Sequence, residues 1–435
     1  MVYGNLNAKK MIKRREFIKR GTLLAGVSLL DSVNIIKAAT NKSNPTILLF
    51  SSWQTVNIGD IAHTPGMLRL LKKYIPQAKL ILWPKDINDE VEKMLRVNFP
   101  DVQIVFNSPD EMGKINLEEF NKAVEKADFF LHGSGPGVFD LDKFSQLTKT
   151  GKPYGIYGVT VSGVSEQQRN IFNEAKFIMT RETASIEVLK KAGITLPVID
   201  FGPDATFGLN LKNEEKGAQI LRKYNLEKQK FICVIPRLRR TPYYRIHKYV
   251  NWTEEQINQC NELNNKYLSQ DMTKLAEVIT RWVKETKNKV LLCPEMTYQL
   301  ELFPEIISKL PEDVKPYVAQ LDHYWITDVA SSVYKNAHTI VSQECHSPII
   351  SYGKGVPAFY IRQPEDTIKG QMYYDLGAKD WVFEINETEG KTISDTLMKV
   401  YNDYASAQKQ VKLIMEKANN RFDTTFKTVK KQVMA

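Results

Sequence analysis

The sequence predicts an α/β fold of two doubly wound, Rossmann-like parallel sheets. Three observations lead there. Short runs rich in Ile, Val, Leu and Phe alternate with helical stretches. Those runs are continuously apolar rather than alternating, as strands covered on both faces must be. The series also pauses at a charged stretch from Leu211 to Lys230 and then begins again. Strands that alternate with helices in this way belong to parallel sheets, and 435 residues exceed what one core usually organises.

The first series opens with ILLFSSW (47–53), a helix from about Thr64 to Tyr74, and KLILWP (79–84). A helix from Asn88 to Val97, VQIVF (102–106) and a helix from Leu117 to Lys126 follow. DFFLHG (128–133), YGIYGVT (154–160), FIMTR (177–181) and PVIDFG (197–202) complete a first domain over 45–210. A linker with one helix occupies 211–230. The second domain, 231–385, contains FICVIPRL (231–238), a long helix from Glu254 to Thr286, KVLLCPE (289–295), VAQLD (318–322), TIVSQ (339–343) and PAFYI (357–361). The tail, 386–435, is charged and helical by periodicity from Ile393 to Lys430. Open α/β sheets bind ligands beyond the C-terminal ends of their strands, so a cleft between the two domains is expected.

The N-terminus carries a separate message. Lys13-Arg14-Arg15-Glu16-Phe17-Ile18-Lys19 precedes a mildly apolar run from Gly21 to Leu30. The arginine pair, the Phe and Lys that follow it and the weak apolar run resemble a twin-arginine (Tat) type export signal. A run of about 10 residues is too short to span a bilayer as a mature helix. The resemblance implies a signal segment over 1–39, cleaved near Ala38-Ala39 or kept as an anchor. It also implies the twin-arginine translocase as a partner during export and a periplasmic or membrane-anchored place in the cell envelope. An ordinary basic helix is the alternative. Those 39 residues hold eight basic and two acidic side chains, so the formal charge of +10 falls to +4 without them. Nucleic acid is therefore not expected as a partner. No later apolar run approaches the ~18 residues of a spanning helix, so the remainder is expected to be soluble. Cys233 and Cys293 lie in strand-like runs and read as lone buried cysteines. No Cys/His spacing suggests a metal site, and no metal is expected.

Polar residues at strand ends are the candidates for chemistry. Asn57-Ile58-Gly59-Asp60 follows the first strand, with His63 just beyond. Asp60 suits either a helix cap or a base or hydroxyl ligand in the cleft. His132-Gly133-Ser134-Gly135 can bring backbone N–H groups to an anion at a helix start, or can be only a turn. Thr180 or Thr183 can cap the next helix, while Arg181 either reaches the cleft or forms a surface ion pair. Gly202-Pro203-Asp204 closes another strand. In the second domain Arg237, Arg239 and Arg240 end a strand and suit a phosphate or carboxylate, with a solvated basic loop as the alternative. Glu344 and His346 follow TIVSQ, where a histidine facing the cleft can exchange protons with a ligand.

Taken in order, NIGD, a glycine run, TRET, DFGPDATF and finally VSQECHSPIISYGKGVPAF resemble the polysaccharide pyruvyl transferase family over roughly 57–385. The resemblance implies a glycosyltransferase-B-like pair of facing domains. It also implies transfer of a pyruvyl group from phosphoenolpyruvate to sugar hydroxyls as a ketal, with no other cofactor. The family's final motif usually reads Ser-Arg-Leu-His-Gly, against Gln343-Glu344-Cys345-His346-Ser347 here. His346 matches its general acid/base, and Arg237 its strand-end arginine. Glu344 stands where an arginine holds the donor's anionic groups. That reversal turns an attraction of a few kcal/mol into a repulsion, with Arg239 or Arg240 available to compensate. Ser134 interrupts the family's glycine run.

Three functions compete on this evidence. The first is an exported pyruvyl transferase on a glycan or polysaccharide, with His346 as acid/base, Arg237 and its neighbours on the donor, and Asp60 on the acceptor. The second is a periplasmic polysaccharide hydrolase or lyase using Glu344 and His346, with Asp204 or Asp60 as partner. The third is a non-catalytic glycan-binding protein stacking sugars on Trp53, Tyr243, Tyr244, Tyr324 or Trp325.

Overall fold

A computed structural model of the chain describes residues 43–51, 54–107, 116–138, 140–247 and 249–435. The export-type segment at 1–39 and Trp53 lie outside the described residues.

Strands β1 (Thr46–Ser51), β2 (Lys79–Pro84), β3 (Gln103–Ile104), β4 (Phe129–His132), β5 (Tyr154–Val159), β6 (Phe177–Thr180) and β7 (Val198–Phe201) form one sheet, ordered β3-β2-β1-β4-β5-β6-β7. Strands β8 (Phe231–Ile235), β9 (Lys289–Leu292), β10 (Val318–Gln320), β11 (Thr339–Ser342), β12 (Ala358–Arg362) and β13 (Val382–Glu384) form a second, ordered β10-β9-β8-β11-β12-β13. Every pairing is parallel. Each sheet reverses its winding beside its first strand, between β1 and β4 and between β8 and β11, which is where such sheets open a crevice. Helices cover both faces, so Ile47, Leu49, Ile232, Val234 and Ile340 are fully buried.

Element edges differ from the sequence reading for local reasons. The helix after β1 starts at Ile58, not Thr64, because Asn57 caps it: Asn57 Oδ1 accepts Gly59 N–H at 2.7 Å and Asp60 N–H at 3.2 Å. Strand β13 is only three residues long and is too short to stand out as an apolar run. The helices Leu141–Thr148 and Glu166–Glu174 fill connections that the apolar pattern left blank, while Thr183–Lys191 is the helix expected after FIMTR. The helix Thr183–Lys191 has Glu182 at its cap position with no side-chain cap bond, so neither Thr180 nor Thr183 is its cap. Thr183 N–H instead donates to Asp375 Oδ2 at 2.8 Å. Among the described residues no helix is long and apolar enough to cross a membrane.

The tail divides at Asp403 into Gly390–Asn402 and Tyr404–Met434. The second of these helices returns to the first sheet. There the Tyr157 hydroxyl lies 2.7 Å from Thr425 Oγ1, and the Arg421 guanidinium donates to Phe201 O at 2.9 and 2.6 Å. The Phe426 ring stacks on Tyr74 at 4.7 Å between centroids. The C-terminus thus belongs to the packing of the N-terminal half. Phe426→Ala should cost about 3–5 kcal/mol of unfolding free energy, read as a lower urea midpoint at unchanged slope.

Candidate active site

Loops from both sheets meet across their C-terminal strand ends and enclose a cavity of about 350 Å³. Asn57 and Asp60 enter it after β1 and Arg181 after β6. Arg237 follows β8, and Glu344 and His346 follow β11. The two halves are joined at this line by backbone: Ile58 N–H donates to Glu295 O at 2.9 Å, and Thr297 N–H to Val56 O at 3.1 Å. Gly59 is required here, because a Cβ on it would lie 2.2 Å from His346 Nδ1.

His346 opens the helix His346–Tyr352, and Glu295 anchors both. Glu295 Oε1 lies 3.2 Å from His346 Nδ1, while Oε2 accepts Ser347 N–H and Ser347 Oγ–H, each at 2.7 Å. Burial alone would lower the His346 pKa, but the Cys345 sulfur and the Glu295 carboxylate against the ring raise it well above its ordinary value. Burial opposes ionisation of Glu295, yet the His346 ring and Ser347 hold its pKa below normal. Both shifts describe one imidazolium–carboxylate pair.

A second histidine faces the first, with ring centroids 4.9 Å apart at 85°. His63 Nδ1 lies 2.9 Å from Asp204 Oδ1, and its Nε2 is 3.8 Å from Asp60 Oδ1. Asp204 also accepts Arg181 Nη1 at 2.8 Å and Thr206 N–H at 2.9 Å, and its Oδ2 is 3.9 Å from His346 Nε2. Burial would raise the Asp204 pKa, but His63, Arg181 and His346 hold it well below its usual range. Donor atoms of His63, Asp204 and His346 all lie within 4.8 Å of one another, the spacing a metal needs. The Asp204 oxygens also accept three hydrogen bonds, from His63, Arg181 and Thr206.

Glu344 is buried and accepts Gln299 Nε2–H at 2.7 Å, with Arg237 Nε at 3.4 Å. Burial pushes its pKa up to about 7 against the pull of Arg237. Arg237 pairs with Asp366 as well, and Lys369 Nζ approaches the same carboxylate at 3.1 Å. On the cavity rim, Tyr243, His247 and Tyr249 form a ladder of rings at 6.0 and 4.9 Å, the last 59% exposed.

Several sequence expectations are corrected. Asp60 is not the cap but a first-turn carboxylate on the cavity, held by Gln54. Arg181 lines the cavity, though as half of a buried ion pair rather than a surface one. His132 sits among Phe50 and Phe144, away from the cavity lining, and burial drives its pKa down to about 3. The loop of Gly133, Ser134 and Gly135 offers no anion cradle. Gly133 N–H donates to Phe50 O, Gly135 N–H to Gly158 O, and Ser134 Oγ accepts Ala205 N–H. Arg239 is spent on Asp271 at 2.5 and 2.8 Å, and Arg240 stacks on Trp252, so neither compensates for Glu344. Tyr244 binds Asn261, Trp325 is core, and Tyr324 does not line the cavity. Glu295, Lys369, Asp366 and the His247–Tyr249 rim were missed, although Glu295 closes the strand run KVLLCPE and had the same positional signal as Arg237.

An acid–base cavity between two parallel sheets of this order is the arrangement of glycosyltransferase-B-like enzymes. The family model for polysaccharide pyruvyl transferase matches residues 57–365, and the chain belongs to that family. Solved structures of similar fold include UDP-GlcNAc 2-epimerase from Neisseria meningitidis bound to UDP-GlcNAc, at 11% identity and TM-score 0.55, over 89% of this chain and 100% of that one. A glycosyltransferase from Rickettsia africae matches at 12% and 0.55, over 90% and 97%. Anabaena HepE in complex with UDP-glucose matches at 11% and 0.54, over 89% and 98%. No curated protein matches the chain. The family and fold make it a carbohydrate-modifying enzyme of transferase type.

Two outcomes follow from this geometry. Gly59→Ala must displace the His346 side chain from its Cβ outward, so catalysis should fall at least about tenfold and the urea midpoint should fall with it. Glu344 faces Arg237, Lys369, Glu295, Asp366, Gln299 and Tyr298. Its folded pKa lies above the ordinary 4.5, so the folded state holds an extra proton between there and about 7. Stability from this group is therefore lost as pH rises through that window, by up to about 3 kcal/mol. Comparing urea midpoints of wild type and Glu344→Gln at pH 5 and pH 8 checks it: the variant should show the smaller decline.

Proposed function

We propose that the protein transfers a pyruvyl group to a hydroxyl of a glycan, with His346 as the general acid and base. The observation that carries this reading is His346 itself. It is an imidazole at a helix start, fixed through Nδ1 by Glu295, whose carboxylate raises its pKa, with Nε2 turned towards Asp204 in the cavity shared by the two sheets. An imidazolium so held can give a proton to a leaving oxygen and take one from an attacking hydroxyl. Asp60 and the exposed Tyr249 end of the aromatic ladder support a glycan acceptor entering from the rim, since sugar rings pack well on aromatic faces. The Arg14-Arg15 segment supports an extracytoplasmic reaction, which a signal–reporter fusion in a strain lacking the twin-arginine translocase would test.

The hydrolase reading uses the same centre with water in place of the acceptor. Glu344 and His346 both line the cavity, but they are held by different partners, Gln299 with Arg237 and Glu295 respectively. The test follows a 13C-labelled pyruvyl group into or out of ketal linkage on an oligosaccharide panel, with phosphoenolpyruvate and a pyruvylated glycan as alternative donors. His346→Gln should lower the rate about 10²–10⁴-fold. Glu295→Gln should move the pH profile to lower pH, because the ring loses the carboxylate that keeps it protonated. Failure of the wild-type protein to make or break any ketal rejects the reading.

A further inference from the structure

Lys85 lines the cavity, and the cations around Arg237 and His346 are already matched by carboxylates. Arg181 pairs with Asp204 at 2.8 Å, Arg237 with Asp366 and Glu344, His346 with Glu295, and Lys369 shares Asp366. Asp60 stands on the same lining as a further acid. A phosphate placed beside Arg237 would meet Asp366 and Glu344 before it met an uncommitted charge. One carboxylate is a different matter. If Glu344 accepts a proton, Arg237 and Lys369 outweigh Asp366 by a single charge, and the neutral carboxyl becomes a hydrogen-bond donor.

We propose that the group bound at Arg237 and Glu344 carries one negative charge and no phosphate: the carboxylate of a pyruvyl ketal already attached to a saccharide. This rests on the reading that the site handles pyruvyl groups, and it names the donor. The step balances without a further reactant. His346 gives its proton to one ketal oxygen, and that carbon–oxygen bond breaks with its electron pair on the oxygen. The remaining ketal oxygen supports the cationic carbon. A hydroxyl of a second saccharide, or water, then bonds to that carbon and returns a proton to His346. Repeating the sequence at the second oxygen completes transfer to a new diol, or releases pyruvate and the original diol. Nothing is oxidised or reduced. The Tyr243–His247–Tyr249 ladder at the rim lies where the saccharide part would stack.

The experiment is calorimetric binding to the full chain of pyruvate and of phosphoenolpyruvate as probes, at pH 6 and pH 8. Expected is pyruvate binding at least about tenfold tighter than phosphoenolpyruvate at pH 6, weakening at pH 8, with Glu344→Gln flattening that pH dependence. His346→Gln with retained probe binding verifies that the cavity is folded in that variant. Phosphoenolpyruvate binding as tightly as pyruvate, or tighter, overturns the proposal and leaves the pyruvyl reading standing. Binding of neither probe at ~10 mM overturns both.

Discussion

The contact on which the rest depends is Glu295. Its backbone carbonyl receives Ile58 N–H from the first helix of the N-terminal half, and its backbone N–H donates to Gln299 Oε1. Its carboxylate caps the helix that starts at His346 and holds the imidazole on the same side. One residue therefore bonds across the two halves, caps the start of a helix and orients the His346 ring. A fully buried carboxylate without such partners would be costly, whereas here it accepts from Ser347 N, Ser347 Oγ and the histidine. Gly59 completes the arrangement, since only a residue without a side chain lets the neighbouring helix pass so close to the ring.

Around that contact the site is built from charge pairs rather than from free cations. Arg181, Arg237 and Arg239 are buried and each is committed to an aspartate. Burial of this many charges is tolerable only when each is matched, which couples the residues: a change at one leaves its partner uncompensated. Glu344 sits at the edge of this pattern. It is nearly as buried as the others but has only Gln299 and a longer approach from Arg237. Burial therefore pushes its pKa up to about 7, into the neutral range.

Much of the fold was legible in the sequence because parallel strands covered on both faces must be apolar throughout. β8 and β11 needed no subtler signal than FICVI and TIVS. β3 and β13 were blurred because two or three residues do not make a run. The site was legible in position but not in role. Strand ends pointed to Asp60, Asp204, Arg237, Glu344 and His346, all of which converge. They pointed equally to His132, Arg239 and Arg240, which do not. Nothing local separates these, because whether a strand-end side chain faces the crevice or a covering helix depends on packing from distant elements. Asp271, which takes Arg239, lies on the helix Glu254–Thr286, and Phe144, which walls in His132, follows a separate loop. The glycine run failed for another reason. Its N–H groups were free in the sequence reading, but neighbouring strand carbonyls consume them.

At 11–12% identity, the similar solved structures show the fold alone. In this chain the sheet edges carry two imidazoles at right angles, each with a carboxylate on Nδ1, Glu295 for one and Asp204 for the other. A carboxylate at Nδ1 fixes which nitrogen exchanges the proton, and leaves Nε2 as the working atom. His63 Nε2 has no hydrogen-bond partner among the described residues and points towards the Asp60 carboxylate, while His346 Nε2 approaches Asp204. At 3.8 Å from Asp60 and 3.9 Å from Asp204 neither Nε2 is hydrogen-bonded to that carboxylate, so each can turn to a ligand without breaking a bond.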